Sequence, residues 1–215
     1  MKLVFLGPPG AGKGTQAVRL AADRGVPHVS TGDILRSAAA SGTSLGERVR
    51  GYLEAGELVP DEVMNAVVAQ RLSEPDCAQG FLLDGFPRTG PQAEALDAIL
   101  KEQGRGLDAV LYVGVPREEL IRRLAGRRVC RGCGANFNVE SLPAGQADEC
   151  PRCGGALEQR ADDQSETVAN RLEVYHRTTA SLVSYYQGRG LLRQIDGVGS
   201  PEDVYQRVLA VVGSA

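Results

Sequence analysis

Short apolar runs alternate with segments of helical spacing along most of this chain. The runs are typical of strands buried on both faces of a sheet, and they are KLVFL (2–6), PHVS (27–30), GFLLD (80–84), LDAVLYVGV (107–115) and LLRQI (191–195). The segments with helical spacing are GTQAVRLAADRG (14–25), 31–40, 44–55, 61–73, 89–103 and 116–125. This alternation predicts an α/β fold in which a parallel sheet carries helices on both faces.

The C-terminal part predicts a long helix over about 164–187, followed by a short helix, PEDVYQRVLAVV, that begins with a proline. Asp163 and Glu166 have the spacing of a capping box at the start of the long helix. Its apolar stripe consists of Val168, Leu172, Tyr175, Thr179, Leu182 and Tyr186.

A glycine-rich stretch, GPPGAGKGT (7–15), follows the first predicted strand and opens a helix. Backbone N–H groups of such a loop form a concave anion site, and Lys13 adds a full positive charge for phosphate oxygens. The usual pattern has a Ser or Thr after the lysine, but Gly14 stands there and the hydroxyl comes one residue later, at Thr15. We therefore expect Mg²⁺ to be held mostly by phosphates and water, with Asp84 as the carboxylate that orients those waters.

Residues 126–163 interrupt the alternation, and we interpret them as an insertion outside the sheet. The segment holds two CxxC pairs separated by sixteen residues, formed by Cys130, Cys133, Cys150 and Cys153. Four thiolates at this spacing predict a closed, tetrahedral and therefore structural zinc site. Disulfides are the alternative, which the absence of an apparent export signal disfavours. Cys77 lies outside the set and is expected to be a small packed apolar residue.

Charge and hydropathy exclude two classes of partner. The 215-residue chain has a formal net charge of −3 and lacks a basic footprint, which argues against nucleic-acid binding. The cysteine segment is itself slightly acidic, the wrong sign for a zinc module that binds a nucleic-acid backbone. No run of about 18 apolar residues is present, so we expect no membrane partner, and we expect a cytoplasmic location.

Several motifs together resemble those of the nucleoside monophosphate kinases. They are GPPGAGKGT, STGDILR (30–36), ELVPDE (57–62), GFLLDGFPRT (80–89), GRR (126–128) and QRADD (159–163). The similarity covers almost the whole chain and is closest to adenylate kinases of the long, zinc-binding lid type. It implies a P-loop NTPase-type five-stranded parallel sheet with a core of 1–29, 60–125 and 164–215. It also implies a helical NMP-binding insert at 30–59 and a small zinc-binding lid at 126–163.

The resemblance implies a reversible reaction of MgATP with AMP that gives two ADP, carried out by a monomer in adenine nucleotide homeostasis. Phosphoryl transfer depends on positioning and charge neutralisation rather than on a protein nucleophile. The catalytic residues implied are Lys13, Arg88, Arg127, Arg160, Arg171 and Asp84.

The same resemblance assigns the two nucleotides to separate sets of residues. The ATP set is Gly10, Ala11, Gly12, Lys13, Gly14, Thr15, Arg123, Arg127, Asn136, Phe137 and Gly199. The AMP set is Thr31, Arg36, Glu57, Leu58, Val59, Gly85, Phe86, Pro87, Arg88, Gln92, Arg160 and Arg171. Within the second set, Arg88 would hold the phosphate and Gln92 would contact the base. Asp162 and Asp163 are candidates for orienting the arginines or for hinging the lid, while His28 and His176 are expected to be structural.

Two alternatives remain open from the sequence. One is a kinase that acts on another nucleoside monophosphate. The other is a P-loop binding module, such as a nucleotide sensor or a zinc-dependent adaptor. Arg36 and Arg88 favour an enzyme over a binding module, because a protein that binds a single nucleotide needs no second set of phosphate-holding arginines.

Overall fold

A five-stranded parallel sheet forms the centre of the computed structural model, which describes residues 1–143 and 148–213, with no description of the Leu45 side chain. In chain order the strands are β1 (Lys2–Leu6), β2 (His28–Ser30), β3 (Phe81–Asp84), β4 (Ala109–Gly114), β5 (Arg127–Cys130), β6 (Asn136–Asn138), β7 (Leu157–Glu158) and β8 (Leu192–Asp196). The α-helices are α1 (Lys13–Arg24), α2 (Thr31–Ala40), α3 (Ser44–Ala55), α4 (Asp61–Leu72), α5 (Gly90–Glu102), α6 (Arg117–Ala125), α7 (Ser165–Val174), α8 (Leu182–Gly188) and α9 (Pro201–Val212).

The strand order of the large sheet is β2-β3-β1-β4-β8, and every neighbouring pair is parallel. Val4 of the central strand β1 lies opposite Leu83 of β3 on one side and Val110 of β4 on the other. The five apolar runs are therefore the five strands of this sheet, and the predicted fold class is confirmed. Their carboxyl ends share one edge, where the loops after β1 and β3 meet.

Alternate residues of the strands face two separate hydrophobic cores, one on each face of the sheet. Along β1, Val4 and Leu6 belong to the core that includes α2, α4, α5 and α8. Leu3 and Phe5 belong to the opposite core, which includes α1, α6, α7 and α9. Because both faces are covered, these strands are continuously apolar rather than alternating.

The predicted long C-terminal helix is interrupted, so the prediction of one continuous α-helix is wrong. Between α7 and α8 the chain forms a π-helical segment, Tyr175–Thr179. The Thr178 hydroxyl donates to the carbonyl of Val174 at 2.7 Å, a bond that competes with regular helix geometry. The wider turn keeps Thr179 buried while its hydroxyl donates to the carbonyl of Arg88 at 2.8 Å.

The predicted capping box of Asp163 and Glu166 is also wrong. Gln164 is the N-cap of α7, and its side chain makes no capping hydrogen bond. The Asp163 carboxylate is fully buried and binds Arg127 instead. Burying a carboxylate requires a charged partner, and that requirement outweighs the modest gain from a helix cap.

The cysteine segment lies outside the large sheet, as expected, and contains a small antiparallel sheet in the order β6-β5-β7. Its small core holds Cys130, Cys150 and Leu157, with Phe137 and Leu142 packed against it. The sequence did not predict this sheet, because strands of two to four residues carry no usable periodicity. Positions 144–147 of the predicted lid and 214–215 of the predicted core lie outside the described residues.

Across 1–143 and 148–213, none of the helices has the combined length and apolar character that crossing a bilayer requires.

Candidate active site

The loop between β1 and α1 is shaped by glycines that no other residue can replace. A Cβ atom on Gly7 would lie 2.6 Å from the carbonyl oxygen of Val113, so this loop residue packs directly on β4. Gly12, the N-cap of α1, has a φ of 89° and open space around the position of a Cβ. The loop therefore stays open in front of the N-terminus of α1, where the helix dipole favours an anion.

Lys13 folds back over this loop. Its Nζ donates to the carbonyls of Gly7 at 2.8 Å and Pro8 at 3.0 Å. Burial, together with the charges of neighbouring arginines, lowers the pKa of Lys13 to about 8, against the opposing effect of Asp84. Phosphate oxygens offer the negative charge that would restore the protonated form, so the lysine is suited to a strongly anionic ligand.

Asp84 occupies the space that a side chain at position 14 would need. A Cβ on Gly14 would lie 3.2 Å from Asp84 Oδ2, a tight contact that would require the carboxylate to shift. Burial would raise the pKa of Asp84, but His28, Lys13 and Arg88 outweigh it and lower that pKa. Asp84 is therefore an ionised carboxylate at the carboxyl end of β3, beside the phosphate loop.

Arg127 and Arg171 share one carboxylate. Asp163 accepts from Arg127 Nε at 2.7 Å and from Arg171 Nη1 at 3.1 Å. Arg171 also binds Asp162, whose Oδ2 lies 3.1 Å away. Burial acts to raise the pKa of Asp162, but the charges of Arg171 and Arg127 outweigh it, so the net shift of this pKa is downward. The two aspartates thus orient the arginines, one of the two roles considered from the sequence.

Arg160 is the least satisfied of the arginines around the site. Its Nη2 donates to Asn136 Oδ1 at 2.8 Å, but its buried Nε has no hydrogen-bond partner. Burial, together with the charges of Arg127 and Arg36, lowers the pKa of Arg160 to about 10. A buried N–H group without a partner is costly, and a phosphate oxygen would supply the missing acceptor.

Arg88 lies between the phosphate loop and the π-helical segment. Its Nε donates to the carbonyl of Gly85 at 2.8 Å. Burial lowers its pKa, and the charge of Arg171 lowers it further while Asp84 opposes the change. A third arginine, Arg36, projects from α2 and pairs with Asp33 on the same helix.

One cavity of about 660 Å³ brings these groups together. Its wall contains every catalytic and nucleotide-binding residue predicted from the sequence except Phe86, which is 1% exposed and packs in the core. Its ring belongs to the hydrophobic core that includes α2, α4, α5 and α8 rather than to the cavity. Among the described residues, the cavity wall contains eight cationic side chains and six carboxylates; the cations are Lys13, Arg36, Arg88, Arg122, Arg123, Arg127, Arg160 and Arg171, and the carboxylates are Asp33, Glu57, Asp84, Glu119, Glu140 and Asp162.

The cavity also contains residues that the sequence did not identify. His28 Nε2 lies 3.7 Å from Asp84 Oδ2, so this histidine contacts a site carboxylate although we expected it to be structural. Its place at the start of β2, the strand beside β3, was the available signal. Glu119 accepts from Arg123 Nε at 2.7 Å, an i,i+4 pair that was readable on the predicted helix. Arg123 also donates to the Gly197 carbonyl at 3.0 Å, which ties α6 to the loop after β8.

The four paired cysteines form a cluster away from this cavity. Their Sγ atoms all lie within 4.8 Å of one another, and all four thiols are free, so the disulfide alternative is wrong. Cys130 and Cys153 are 3.4 Å apart, and Cys133 and Cys150 are 3.7 Å apart. A tetrahedral zinc with bonds of about 2.3 Å separates its sulfurs by about 3.8 Å, so the cluster fits such an ion.

Backbone groups support the same interpretation of the cysteine cluster. The N–H groups of Gly132 and Cys133 point at Cys130 Sγ, at 3.3 and 3.4 Å. In the second pair, the Arg152 N–H points at Cys150 Sγ at 3.4 Å. Such bonds stabilise thiolates, the form of cysteine that binds metal.

Comparison with known proteins places the chain in a family. A family model described as adenylate kinase matches residues 5–191. A protein named adenylate kinase from Carboxydothermus hydrogenoformans is 55% identical over 208 residues, which cover 97% of both chains. Those from Archaeoglobus fulgidus and Symbiobacterium thermophilum are 50% and 54% identical, covering 99% and 92% of this chain and 98% and 91% of their own lengths. The chain therefore belongs to the adenylate kinase family.

Proposed function

We propose that this protein catalyses the reversible, Mg²⁺-dependent transfer of a phosphoryl group from ATP to AMP, giving two ADP. The observation that carries the proposal is the convergence of cations from separate parts of the chain on one cavity. Lys13 comes from the phosphate loop, Arg36 and Arg88 from the acceptor side, and Arg160 and Arg171 from the segment around α7. Such a ring neutralises the charge that a phosphoryl group carries during transfer.

The acceptor nucleotide binds, in this proposal, between α2, α3 and the loop after β3. Arg36 and Arg88 hold its phosphate, since each has guanidinium N–H groups beyond those used in contacts within the protein. The base lies among Leu58, Val59 and Gln92, which line the same cavity. The remaining residues assigned to AMP are Thr31, Glu57, Gly85, Phe86 and Pro87, with Phe86 acting through its backbone.

The donor nucleotide binds along the phosphate loop toward the start of α9. Lys13 and the loop N–H groups hold its phosphates, and Arg123, Asn136, Phe137 and Gly199 lie where the nucleoside would extend. Bound Mg²⁺ neutralises phosphate charge and aligns the transferred group. Asp84, ionised and next to the loop, would hold that ion through water, since Gly14 beside it supplies no hydroxyl ligand.

The proposed binding of the two nucleotides divides the chain into three functional parts. Residues 1–29, 60–125 and 164–215 form the core, 30–59 the acceptor-binding insert and 126–163 the lid. The four cysteines of the lid would hold one structural Zn²⁺, which stabilises a segment whose own apolar core contains only a few residues. We further propose a monomeric, cytoplasmic protein that binds neither nucleic acid nor membrane and serves adenine nucleotide homeostasis.

The direct test is to mix the purified protein with ADP and Mg²⁺ alone and to measure ATP and AMP by chromatography. Equal amounts of the two products support the proposal, while unchanged ADP contradicts it. Formation of products only with another nucleoside monophosphate and ATP would identify a different acceptor. Calorimetry that finds a single bound nucleotide, and weak binding of an analogue joining two adenosines, would favour a P-loop sensor.

A further inference from the structure

Gln92 is held in one orientation by two neighbours, the backbone N–H of Arg88 and the carboxylate of Asp61. Its Oε1 accepts from the backbone N–H of Arg88 at 2.7 Å, and its Nε2 donates to Asp61 Oδ1 at 2.7 Å. The side chain is 2% exposed and lines the cavity, whereas Asp61 lies behind it and does not.

The two contacts require the same amide orientation. A backbone N–H can only donate, so it requires the oxygen of Gln92, and an ionised carboxylate can only accept, so Asp61 requires the nitrogen. Rotating the amide by half a turn would set N–H against N–H at Arg88 and oxygen against oxygen at Asp61. The orientation is therefore fixed by chemistry rather than by an arbitrary choice between two similar atoms.

Asp61 is itself held in place. Its Oδ2 accepts from the Thr89 hydroxyl at 2.8 Å, and the same hydroxyl accepts from the Gln92 backbone N–H at 3.2 Å as the N-cap of α5. Both carboxylate oxygens are thus used, one on Thr89 and one on Gln92. The carboxylate cannot turn away from Gln92 without breaking the bond to Thr89.

An amide held in one orientation presents a fixed arrangement of hydrogen-bond donor and acceptor to a base in the cavity. Gln92 retains one N–H donor and one oxygen lone pair beyond its contacts with Asp61 and Arg88. Adenine offers an acceptor at N1 and a donor at N6, which matches that pattern. Hypoxanthine has the same size and ring system but offers a donor at N1 and an acceptor at O6, which matches only the rotated amide.

We propose that Asp61 is a specificity-determining positioning residue, which makes the acceptor site prefer a 6-aminopurine monophosphate to a 6-oxopurine monophosphate by locking the Gln92 amide. The inference rests on the proposed function, in that Gln92 faces the base of the acceptor. Asp61 contacts no nucleotide and acts only through Gln92.

The test compares kcat/KM for AMP with kcat/KM for IMP at a fixed ATP concentration. Asp61→Asn keeps the shape of the side chain but lets its amide serve either orientation of Gln92. We expect the AMP preference to fall about tenfold, mainly because IMP improves, since one hydrogen-bond mismatch has been removed. The Arg88 N–H still opposes rotation, so part of the preference remains.

The matched control is Glu62→Gln, which removes a carboxylate from the same first turn of α4 at an exposed position. It reproduces the change in charge at the helix N-terminus but leaves Gln92 untouched, so the AMP preference should not change. Asp61→Ala is the second variant, because alanine is favourable in a helix and the site is only half-buried. It also frees the amide and should lower the preference.

Gln92→Ala separates the inference from the proposal on which it rests. We expect it to reduce the preference strongly, and Asp61→Asn should change nothing further in that background. One outcome is that Gln92→Ala reduces the preference while both Asp61 variants lower AMP and IMP activity in parallel. That result would contradict the positioning role of Asp61 and leave the proposed function intact. If Gln92→Ala leaves the preference unchanged, the base is recognised elsewhere and the positioning role of Asp61 is wrong as well.

If the wild type transfers no phosphoryl group, the proposed function fails. The preference for AMP over IMP is then measured as the ratio of their calorimetric binding constants.

Discussion

The Asp163 carboxylate accepts from Arg127 Nε at 2.7 Å while its side chain is completely excluded from solvent. Arg171 binds the other side of the same carboxylate. A single buried anion thus connects β5, the first strand of the small antiparallel sheet, to α7. It also keeps two arginines of the cavity from repelling each other.

Replacing Asp163 with Asn should therefore destabilise the protein by about 3 kcal/mol, because two guanidinium groups would lose their buried counter-charge. The free energy of unfolding measured in urea checks this. The control is Glu166→Gln, an exposed acid on the next helical turn. An equal effect of the two substitutions would mean that these acids serve only as helix-capping charges.

Arg88→Ala and Lys13→Ala should each lower kcat by about 10²–10³, since each removes one fixed positive group from the transferring phosphoryl. The melting temperature should change little, because neither side chain belongs to either hydrophobic core. Steady-state kinetics and thermal unfolding on the same preparations test both statements. Lys101→Ala, at an exposed position, is the control. Near-normal turnover in either site variant would contradict the assignment.

The pH dependence of ATP use should reflect the loss of the proton from Lys13. Burial lowers the pKa of Lys13 to about 8 in the free protein, so its charge is present below that pH and is lost as the pH rises through it. Bound phosphates favour the charged form and raise the pKa again. We expect kcat/KM for ATP to fall above about pH 8 while kcat at saturating ATP stays level to higher pH. In Lys13→Arg, the fall near pH 8 should disappear, and its persistence would assign it to another group.

Gly14→Ala should impair the use of MgATP, because its Cβ would lie 3.2 Å from Asp84 Oδ2 and would push the carboxylate away. We expect about a tenfold rise in the Mg²⁺ concentration needed for half-maximal rate, the effect of weakening one charged hydrogen-bonded contact. Gly51→Ala is the matched control, since it lies in α3 with nothing within 4 Å. That variant should be slightly more stable and equally active.

Removing the metal from the cysteine cluster should lower stability locally. We expect one Zn²⁺ per chain by elemental analysis, and its loss in Cys133→Ser together with a melting temperature lower by about 5–10 °C. Cys77→Ala removes a cysteine outside the cluster and should keep the full metal content. Full metal content in Cys133→Ser, or none in the wild type, would contradict a four-thiolate site.

Local patterns predicted much of this molecule because the relevant forces are local. Continuous apolar runs such as KLVFL and FLLD lie in the large sheet because strands covered on both faces need no polar alternation. The phosphate loop was readable because its glycines and lysine are contiguous in the sequence. The cysteine cluster was readable for a similar reason, since CxxC spacing alone brings two sulfurs to one ion.

Relations between distant residues were not predictable in this way. Asp61 and Gln92 are separated by 31 positions, and Thr179 binds the carbonyl of a residue 91 positions earlier. Nothing in the immediate neighbourhood of Asp163 distinguishes a helix cap from a buried counter-ion, and only the arrival of Arg127 from 36 positions away decides it. The π-helical segment was unpredictable for the same reason, because it depends on the contact of Thr179 with the distant Arg88 carbonyl.

The excess of cations over carboxylates around the cavity has a consequence for turnover. Positive groups gathered in a poorly solvated space repel one another until anions arrive, and an ATP–AMP pair brings more negative charge than the excess requires. Each departing product restores part of that repulsion. Without bound anions, the charges of these side chains therefore oppose their close approach, and the phosphates of the substrates are what offset this opposition.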